Sequence, residues 1–203
     1  PAIRGAALIA GIGLPVVARL HPNAGSTLMT RHSLLLLLFW APAAQAQTPI
    51  ADPRDVGTIE GIVHAYYDVI NGPPGVPRQW HRDSTLYMPA AMFVAMDELN
   101  GQPRPAVMTP EEYRRAVDPG FVAGGFFEQE IGASIERFGH LAQVRSVYET
   151  RRTVAGPVTG RGVNYLMLYW DGTRWWIAGA MWDDERENNP IPAAWVTHSA
   201  GAD

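Results

Sequence analysis

The spacing of hydrophobic residues predicts a first helix, which begins just after residue 50. Asp52 is a favourable N-cap and Pro53 suits the first helical position, whereas the glycines and prolines of residues 71–75 cannot continue a helix. Between these limits apolar residues recur at spacings of three and four, which places them on one helical face: Val56, Ile59, Val63, Tyr66 and Ile70. The pattern predicts one continuous helix.

The middle of the chain predicts four shorter elements. Pro89 interrupts an apolar stretch, so that stretch is predicted as a strand that ends early or lies at a sheet edge. Thr109-Pro110-Glu111-Glu112 has the form of a capping box with proline in the first turn, which predicts the start of a second helix. The four elements are a short irregular helix over 76–83, a strand over 85–97, a loop over 100–105 and a helix from 109 to about 120.

The last third of the chain predicts strands. Residues 126–138 and 141–153 flank Gly139-His140, and residues 163–170 and 174–183 flank Asp171-Gly172-Thr173, two short joins typical of hairpins. Strands joined by such short turns pair antiparallel. Because the helices precede the strands, the order predicts an α+β domain in which a strongly curved antiparallel sheet wraps around N-terminal helices.

Composition narrows the chemistry that this domain can carry. The 203 residues suffice for one ordinary domain, and a net charge of −4 argues against a protein that binds nucleic acid by neutralising phosphates. All 16 basic residues are arginine, which excludes a Schiff-base lysine and a P-loop lysine. Cysteine is absent, and no spacing typical of a metal or nucleotide site occurs, so neither a metal nor a cofactor is expected. Tyrosine, histidine and carboxylate side chains are then the groups that could carry out chemistry in this domain.

Residues 29–46 have the layout of a secretory signal peptide. Met29 to His32 supplies a basic start, residues 33–40 are apolar with five consecutive leucines, and Ala44-Gln45-Ala46 forms an A-x-A cleavage site. The apolar run is far shorter than the roughly 20 residues of a membrane-spanning helix. The layout predicts a periplasmic or secreted protein that has no membrane association after cleavage. The folded domain is then residues 47–203, and residues 1–28 are unstructured or precede the true start at Met29.

Two of the predicted strands, 163–170 and 175–182, are apolar at both parities instead of alternating. A strand with one face in water alternates, so both faces of these strands are expected to be buried. Helices would cover one face and a second subunit the other, which predicts a homodimer through the sheet. The alternative is that the chain's own tail covers the second face.

The order of elements and several local strings resemble the nuclear-transport-factor-2-like (SnoaL-like) superfamily. The strings that carry the resemblance are AYYDVING at residues 65–72, FEQEI at 127–131, ERFGHLAQV at 136–144, SVYETR at 146–151 and DGTRWWI at 171–177. The resemblance implies a bent sheet that closes a cone-shaped pocket. It implies no single activity, because the superfamily includes isomerases, dehydratases, cyclases, epoxide hydrolases and non-catalytic binders.

The resemblance to ketosteroid-isomerase relatives can be tested residue by residue. Those relatives use a tyrosine of the first helix as an oxyanion donor and an aspartate near the end of the first strand as a base. Tyr66 matches the tyrosine, but Met88 stands where the aspartate would be and cannot accept a proton. Steroid-isomerase chemistry is therefore not expected.

Scytalone-dehydratase-like relatives need a histidine and an aspartate that converge on a bound carbonyl. His64 lies one turn from both Glu60 and Asp68, but that helical flank is expected to face away from the pocket. His81 follows Trp80 near the expected pocket mouth and is the better candidate for a catalytic histidine.

Two acidic groups are expected to face solvent. Glu128 and Glu130 alternate with Phe127 and Ile131, which predicts that they lie on the wet face of their strand instead of dividing acid and base roles. The acidic run at residues 183–187 lacks the spacing of a calcium loop and is predicted to be a solvated tail.

The function favoured by these patterns is that of an exported, dimeric protein that binds a small apolar or aromatic molecule. The residues expected to line the cone are Tyr66, Trp80, Met92, Ser146, Tyr148, Tyr165 and Trp182. One alternative is a cofactor-independent isomerase, dehydratase or cyclase in which tyrosine donors act with a histidine or carboxylate base, with Tyr66 and His81 as candidates. Another is an interaction module whose cone is filled by side chains.

Overall fold

The computed structural model describes residues 50–196, so the predicted signal peptide and the stretch before it lie outside the described residues. The helices are α1 Pro53–Val56, α2 Ile59–Asp68, α3 Trp80–Asp83 and α4 Pro110–Gly124. The strands are β1 Tyr87–Leu99, β2 Gln102–Met108, β3 Phe127–Phe138, β4 Leu141–Arg151, β5 Val158–Trp170 and β6 Trp175–Asp184, followed by a 3₁₀ turn at Ala193–Trp195. Within this part of the chain no helix is both long and apolar enough to cross a membrane.

The predicted first helix is in fact two helices, because the helical conformation is interrupted at Gly57-Thr58. Thr58 has an extended backbone, and its Oγ1 accepts a hydrogen bond from the backbone N–H of Gly61 at 2.9 Å. It therefore acts as the N-cap of α2. The apolar spacing continues across the break, so periodicity alone does not reveal it.

The loop predicted over residues 100–105 is wrong, because β2 begins there. Asn100 and Gly101 have φ angles of 54° and 74°. These are the positive values of a two-residue type I′ hairpin turn, for which Asn-Gly is a preferred pair. Pro103 and Pro105 lack N–H donors and are tolerated because β2 is an edge strand.

Helix α4 begins at the predicted capping box, where Thr109 and Glu112 exchange side-chain-to-backbone hydrogen bonds of 3.2 and 2.8 Å. Its predicted end near residue 120 is wrong, because the helix continues past Pro119 to Gly124. The buried Arg78 donates from Nη2 to the Phe121 carbonyl at 2.6 Å, which satisfies a backbone acceptor near the end of the helix.

The six strands form one mixed sheet in the order β2-β1-β6-β5-β4-β3. The last four strands pair antiparallel with their sequence neighbours, as their short turns predict. Strand β1 instead lies parallel to β6, with Phe93 beside Ala180, so the sheet is not wholly antiparallel and β1 is not an edge strand. The predicted α+β class, with helices against one sheet face, is confirmed.

The core lies between the helices and the sheet face that they cover, which we call the inner face. Phe93, Tyr113 and Trp182 pack there edge to face, with ring centroids 5.4 to 5.9 Å apart. Other buried members include Ile62, Val63, Tyr66, Tyr67, Leu86, Val144, Leu166 and Ile177.

The opposite, outer face of the sheet has two parts. Over β3 and β4 the C-terminal segment covers it: the Arg145 guanidinium lies 3.9 Å from the centroid of the Trp195 ring, and Val147 is fully buried. Over β1, β5 and β6 it presents side chains that are 38 to 51% exposed: Met92, Tyr165, Met167 and Met181. The tail predicted as an alternative cover for the second face therefore covers one part, and the other part is an apolar surface.

Candidate functional site

A bulge in β3 decides which of its side chains face the helices. The pairing with β4 shifts between Glu130 and Gly132. Before the bulge Glu128 and Glu130 stand opposite inner-face residues of β4, and after it Ala133 and Ile135 do. Glu128 and Glu130 therefore lie on the inner face. The prediction that they lie on the wet face is wrong, because it assumed that side chains alternate between the two faces without interruption along the whole strand.

A cleft of about 330 Å³ opens between α2 and β3. One wall is apolar, and the polar groups are concentrated at the floor and along a rim supplied by α2. This combination of an apolar wall and a few polar groups is typical of a small-molecule site. The wall is Val63, Ala133, Ile135 and Val144; the floor is Tyr67, Glu128 and Glu130; the rim is Glu60, His64 and Asp68, with Asn71 and Gln129 beside them.

Asn71 fixes the backbone of Glu128 at the floor of the cleft. Its Oδ1 accepts from the Glu128 N–H at 2.7 Å, and its Nδ2 donates to the Glu128 carbonyl at 3.0 Å. Beside this pair, Gly72 and Phe126 exchange two backbone hydrogen bonds of 2.8 and 3.0 Å. The Asn-Gly turn after α2 is thus joined to the start of β3, and helix and strand hold the two sides of the cleft at a fixed separation.

A chain of hydrogen bonds runs behind the cleft from α2 to β3. Tyr66 donates to Asn164 Oδ1 at 3.4 Å, and Asn164 Nδ2 donates to the Tyr67 hydroxyl at 3.1 Å. The Tyr67 hydroxyl lies 2.6 Å from Ser146 Oγ, which donates to Glu130 Oε2. Because Ser146 gives its proton to Glu130, Tyr67 is the donor to Ser146. All these bonds point the same way and end on the Glu130 carboxylate.

Glu128 and Asp184 form an acidic pair on the inner face beside this chain. Burial raises the pKa of Glu128 to about 8, the negative charge of Asp184 adds to the rise, and a hydrogen bond with Asn164 opposes it. Burial also raises the pKa of Asp184, whose Oδ1 accepts from the Tyr148 hydroxyl at 2.5 Å. Glu128 is half-buried and opens into the cleft.

Three of the residues predicted to line the cone lie immediately behind the cleft. Tyr66, Ser146 and Tyr148 are buried and belong to the two polar groups just described. Their hydroxyl groups bond to other side chains, and none of the three lines the cleft itself. They support the residues that do.

Two other predicted residues are packing residues. Trp182 lies in the aromatic cluster of the core. Trp80 is half-buried against the core, and its Nε1 donates to Asp118 Oδ1 at 2.7 Å, which braces α3 against α4.

The remaining predicted positions are corrected by the structure. Met92 and Tyr165 do not line the inner pocket, because they alternate with the buried Phe93 and Leu166 and so point to the outer face. His81 is exposed on α3 and lies outside the cleft, so the geometry gives it no catalytic position.

His64, Glu60 and Asp68 are also corrected, in the opposite sense. They were expected to face away from the pocket, yet they form the rim of the cleft. The cleft opens beside β3 instead of over the centre of the sheet, so this flank of α2 borders it.

Several residues of the site carry only weak sequence signals. Tyr67 directly follows Tyr66, and the apolar spacing that predicts one buried helical face includes only Tyr66. Asn164 has a clearer signal, because it is an amide in an otherwise apolar strand, where a buried polar group needs partners. Asp184 was predicted to be part of a solvated tail, but it is half-buried and bonded to Tyr148.

A wider depression of about 590 Å³ lies against α1 and α2, and its charged groups are already paired. Arg82 meets Asp55 at 2.7 Å and Arg54 meets Asp52 at 2.6 Å. Satisfied ion pairs hold these helices together, so the smaller cleft is the better candidate site. Among residues 50–196 no group of three or more histidines and carboxylates is arranged to hold a metal ion.

Comparisons with known proteins bear on the fold. No protein-family model matches the chain, and no curated protein matches it either. An NTF2-like protein of unknown function from Methylobacillus flagellatus matches with a TM-score of 0.44 and 10% identity, over 64% of this chain and 95% of that chain. A second such protein, from Shewanella baltica, matches with a TM-score of 0.40 and 14% identity, over 64% of this chain and 98% of that chain. A protein with a cystatin-like fold from Nostoc punctiforme matches with a TM-score of 0.46 and 10% identity, over 64% of this chain and 90% of that chain.

The order of helices, a strand, a further helix and a meander of four strands is the order that the sequence predicted, and β2 is the strand that it missed. Two of these neighbours are described as NTF2-like proteins and the third as a protein with a cystatin-like fold. Identities of 10 to 14% say nothing about activity.

Proposed function

We propose that this protein binds a small, largely apolar molecule in the cleft between α2 and β3, and that it does so as an exported homodimer. The observation that carries the proposal is the make-up of the cleft. An apolar wall faces a floor at which Tyr67, Glu128 and Glu130 place hydroxyl and carboxyl groups.

The positioning of the floor also supports binding. Glu128 is held through its backbone by Asn71, and Tyr67 is held by Asn164 and Ser146. Groups held in place before a ligand arrives lose little conformational entropy when it binds. A fixed floor of this kind suits recognition of one end of a ligand.

Export and dimerisation have separate supports. The basic start, apolar run and A-x-A site of residues 29–46 support export. The exposed methionines and Tyr165 on the outer face support a subunit contact, because monomeric proteins seldom expose large contiguous apolar patches.

A filled cleft tests the binding proposal. Ala133 lies on the apolar wall, so Ala133→Leu places a larger side chain in the cleft. Gln143→Leu is the matched control, because it adds the same side chain at an exposed position of the neighbouring strand. Small aromatic and aliphatic compounds are screened by thermal shift. Compounds that raise Tm in the wild type and in Gln143→Leu, but not in folded Ala133→Leu, support the proposal; equal shifts in all three proteins contradict it.

Export is tested on the mature N-terminus. Mass spectrometry of the protein from a periplasmic or culture fraction is expected to give a chain that begins at Gln47. A chain confined to the cytoplasm with residues 29–46 intact would contradict export.

A further inference from the structure

Buried carboxyl groups in this protein fall into two classes. Three nearly fully buried carboxylates each meet an arginine: Asp55 with Arg82 at 2.7 Å, Asp83 with Arg114 at 2.7 Å, and Glu149 with Arg151 at 2.5 Å. Glu128 forms no such ion pair among the described residues, and no arginine lines its cleft. For a half-buried carboxyl group such as Glu128, partial loss of contact with water and the absence of a neighbouring cation both favour the neutral form.

The groups around Glu128 reinforce this difference. Asp184 approaches it from β6, and tyrosines approach it from α2, α4 and β4; these are Tyr66, Tyr67, Tyr113 and Tyr148. Glu130 follows it on β3, and the rim residues Glu60, His64 and Asp68 face it across the cleft. Only His64 among these can carry a positive charge, and it is exposed at the mouth.

Two other carboxylates of the cleft already have partners. Asp68 pairs with Arg82, and Glu130 accepts the hydrogen bond of Ser146. A protonated Glu128 differs from both, because it has an O–H to donate. Its carboxyl group is also the polar group that Asn71 fixes, through the backbone, at the end of the apolar wall.

We propose that Glu128 meets the ligand as a neutral carboxylic acid and donates a hydrogen bond to it, so that the cleft selects neutral molecules with a carbonyl oxygen at one end of an apolar body. This inference rests on the proposed function and gives its ligand a chemical class. An anionic ligand is disfavoured, because Asp184, Glu130 and the acidic rim all repel it. A neutral carbonyl loses little hydration on entry and receives the proton that Glu128 offers.

The proposal couples ligand binding to a proton. If the ligand binds only the protonated form, its affinity stays constant at low pH and falls as Glu128 ionises. Burial and Asp184 raise the pKa of Glu128 to about 8, so the fall is expected between pH 7 and pH 10. By reciprocity, a bound ligand raises the pKa of Glu128 further.

Three probes with one ring and different head groups test the ligand class: cyclohexanone, cyclohexanecarboxylate and cyclohexyltrimethylammonium. The wild type is titrated with each at pH 6 and pH 10 by NMR. Cyclohexanone is expected to bind best at pH 6 and to lose about tenfold or more in affinity by pH 10. Stronger binding of the ammonium probe, or an affinity for cyclohexanone that does not change with pH, would overturn the inference.

Two variants assign the proton to Glu128. Glu128→Gln keeps an N–H donor that does not titrate, so cyclohexanone affinity is expected to be independent of pH. Glu136→Gln is the control, because Glu136 is exposed farther along the same strand, and it is expected to keep the wild-type profile. If Glu128→Gln also kept the wild-type profile, the proton would belong to another group and the inference would fail.

A further readout does not depend on affinity. The side-chain carboxyl resonance of Glu128, assigned through Glu128→Gln, is followed against pH by ¹³C NMR with and without cyclohexanone. Its pKa is expected to rise in the presence of the ketone. If Ala133→Leu abolishes binding of the ketone, but the bound ketone leaves the pKa of Glu128 unchanged, the inference is overturned and the proposed function stands. Binding of none of the probes at either pH would count against both.

Discussion

Tyr67 joins the helical and sheet sides of the candidate site through one hydroxyl group. It accepts from Asn164 on β5 and donates to Ser146 on β4, so a single side chain of α2 is bonded to two strands. Tyr66 makes one hydrogen bond of 3.4 Å and packs edge-on against Tyr67 at a centroid distance of 5.3 Å. We therefore expect the Tyr67 hydroxyl to contribute more to stability than that of Tyr66.

Tyr67→Phe measures the contribution of that hydroxyl. The substitution removes one partner each from Asn164 and Ser146, which both keep another, so the two losses together are expected to cost about 1–3 kcal/mol. We expect the free energy of unfolding in urea to fall by an amount in that range. Tyr165→Phe removes a hydroxyl on the outer face and should change it by no more than about 0.5 kcal/mol. Equal effects of the two substitutions would contradict this account.

Glu128 gives the protein a stability that falls as the pH rises. Its pKa in the folded state, about 8, lies above the ordinary value of 4.5. Below pH 4.5 the group is protonated in both states and has no effect. Between pH 4.5 and 8 the unfolded chain releases the proton and the folded chain keeps it, so the free energy of unfolding declines. Above pH 8 both states are ionised and the penalty is constant.

Glu128→Gln removes this dependence. From pH 5 to pH 9 we expect the variant to gain on the wild type by on the order of 2 kcal/mol in free energy of unfolding, after allowance for the partial exposure of Glu128. Urea unfolding at several pH values measures the difference, with the exposed Glu136→Gln as the control. Parallel profiles for all three proteins would show that Glu128 is ionised in the folded state.

At the scale of elements, β3 shows how far alternation of polar and apolar residues can predict a site. The hairpin of β3 and β4 was predicted from Gly139-His140, and its strands are confirmed. The site on it was not predicted, because one extra residue beside Gly132 exchanges the two parities. Glu128 therefore faces inwards while Glu136, at the same parity, faces outwards. A bulge depends on what packs against the strand, and a single sequence does not contain that information.

The contact between β3 and the C-terminal segment has a specific requirement at Gly132. A Cβ atom there would lie 2.0 Å from the Trp195 carbonyl oxygen. Gly132→Ala therefore forces the segment away from the outer face and weakens the stacking of Trp195 on Arg145. We expect a loss of about 1–3 kcal/mol in free energy of unfolding and faster proteolysis of the segment.

Gly160→Ala is the matched control in another strand. Its Cβ would lie 3.2 Å from the Thr150 hydroxyl, the end of a small side chain and not the backbone. We expect a change within about 0.5 kcal/mol. If Gly132→Ala were as mild as this control, the segment would not be held at the bulge.

At the scale of the molecule, local turns predicted the antiparallel part of the sheet but not its parallel pair. Gly139-His140 and Asp171-Gly172-Thr173 each specify a neighbouring strand pair. The pairing of β1 with β6 has no such local cause, because four strands and α4 lie between them in the sequence. Asn100-Gly101 is different: its type I′ signal was present in the sequence, and the loop prediction overlooked it.

The outer face makes a prediction about assembly. The C-terminal segment covers β3 and β4, so a subunit contact would be centred on β1, β5 and β6, where Met167 and Met181 are about half exposed. Met181→Glu places a charge in that contact. We expect the dimer dissociation constant, measured by analytical ultracentrifugation, to rise by about tenfold or more.

Phe138→Glu is the control for the charge. Phe138 is 88% exposed at the tip of the β3–β4 hairpin, away from the proposed contact. The substitution should leave the dimer intact. A wild-type protein that sediments as a monomer would contradict dimerisation directly.

The position of β6 has a consequence for the order in which the chain can fold. The strand is the last of the six in sequence, yet it lies inside the sheet between β1 and β5. Until it is synthesised, the β1–β2 hairpin and the β3–β4–β5 meander have no strand to join them. Such distant pairing slows folding, and a ribosome-bound chain that ends before Trp175 would leave both halves open at the edges that β6 later closes. Until that strand emerges, the two open sheet edges are expected to favour binding by chaperones.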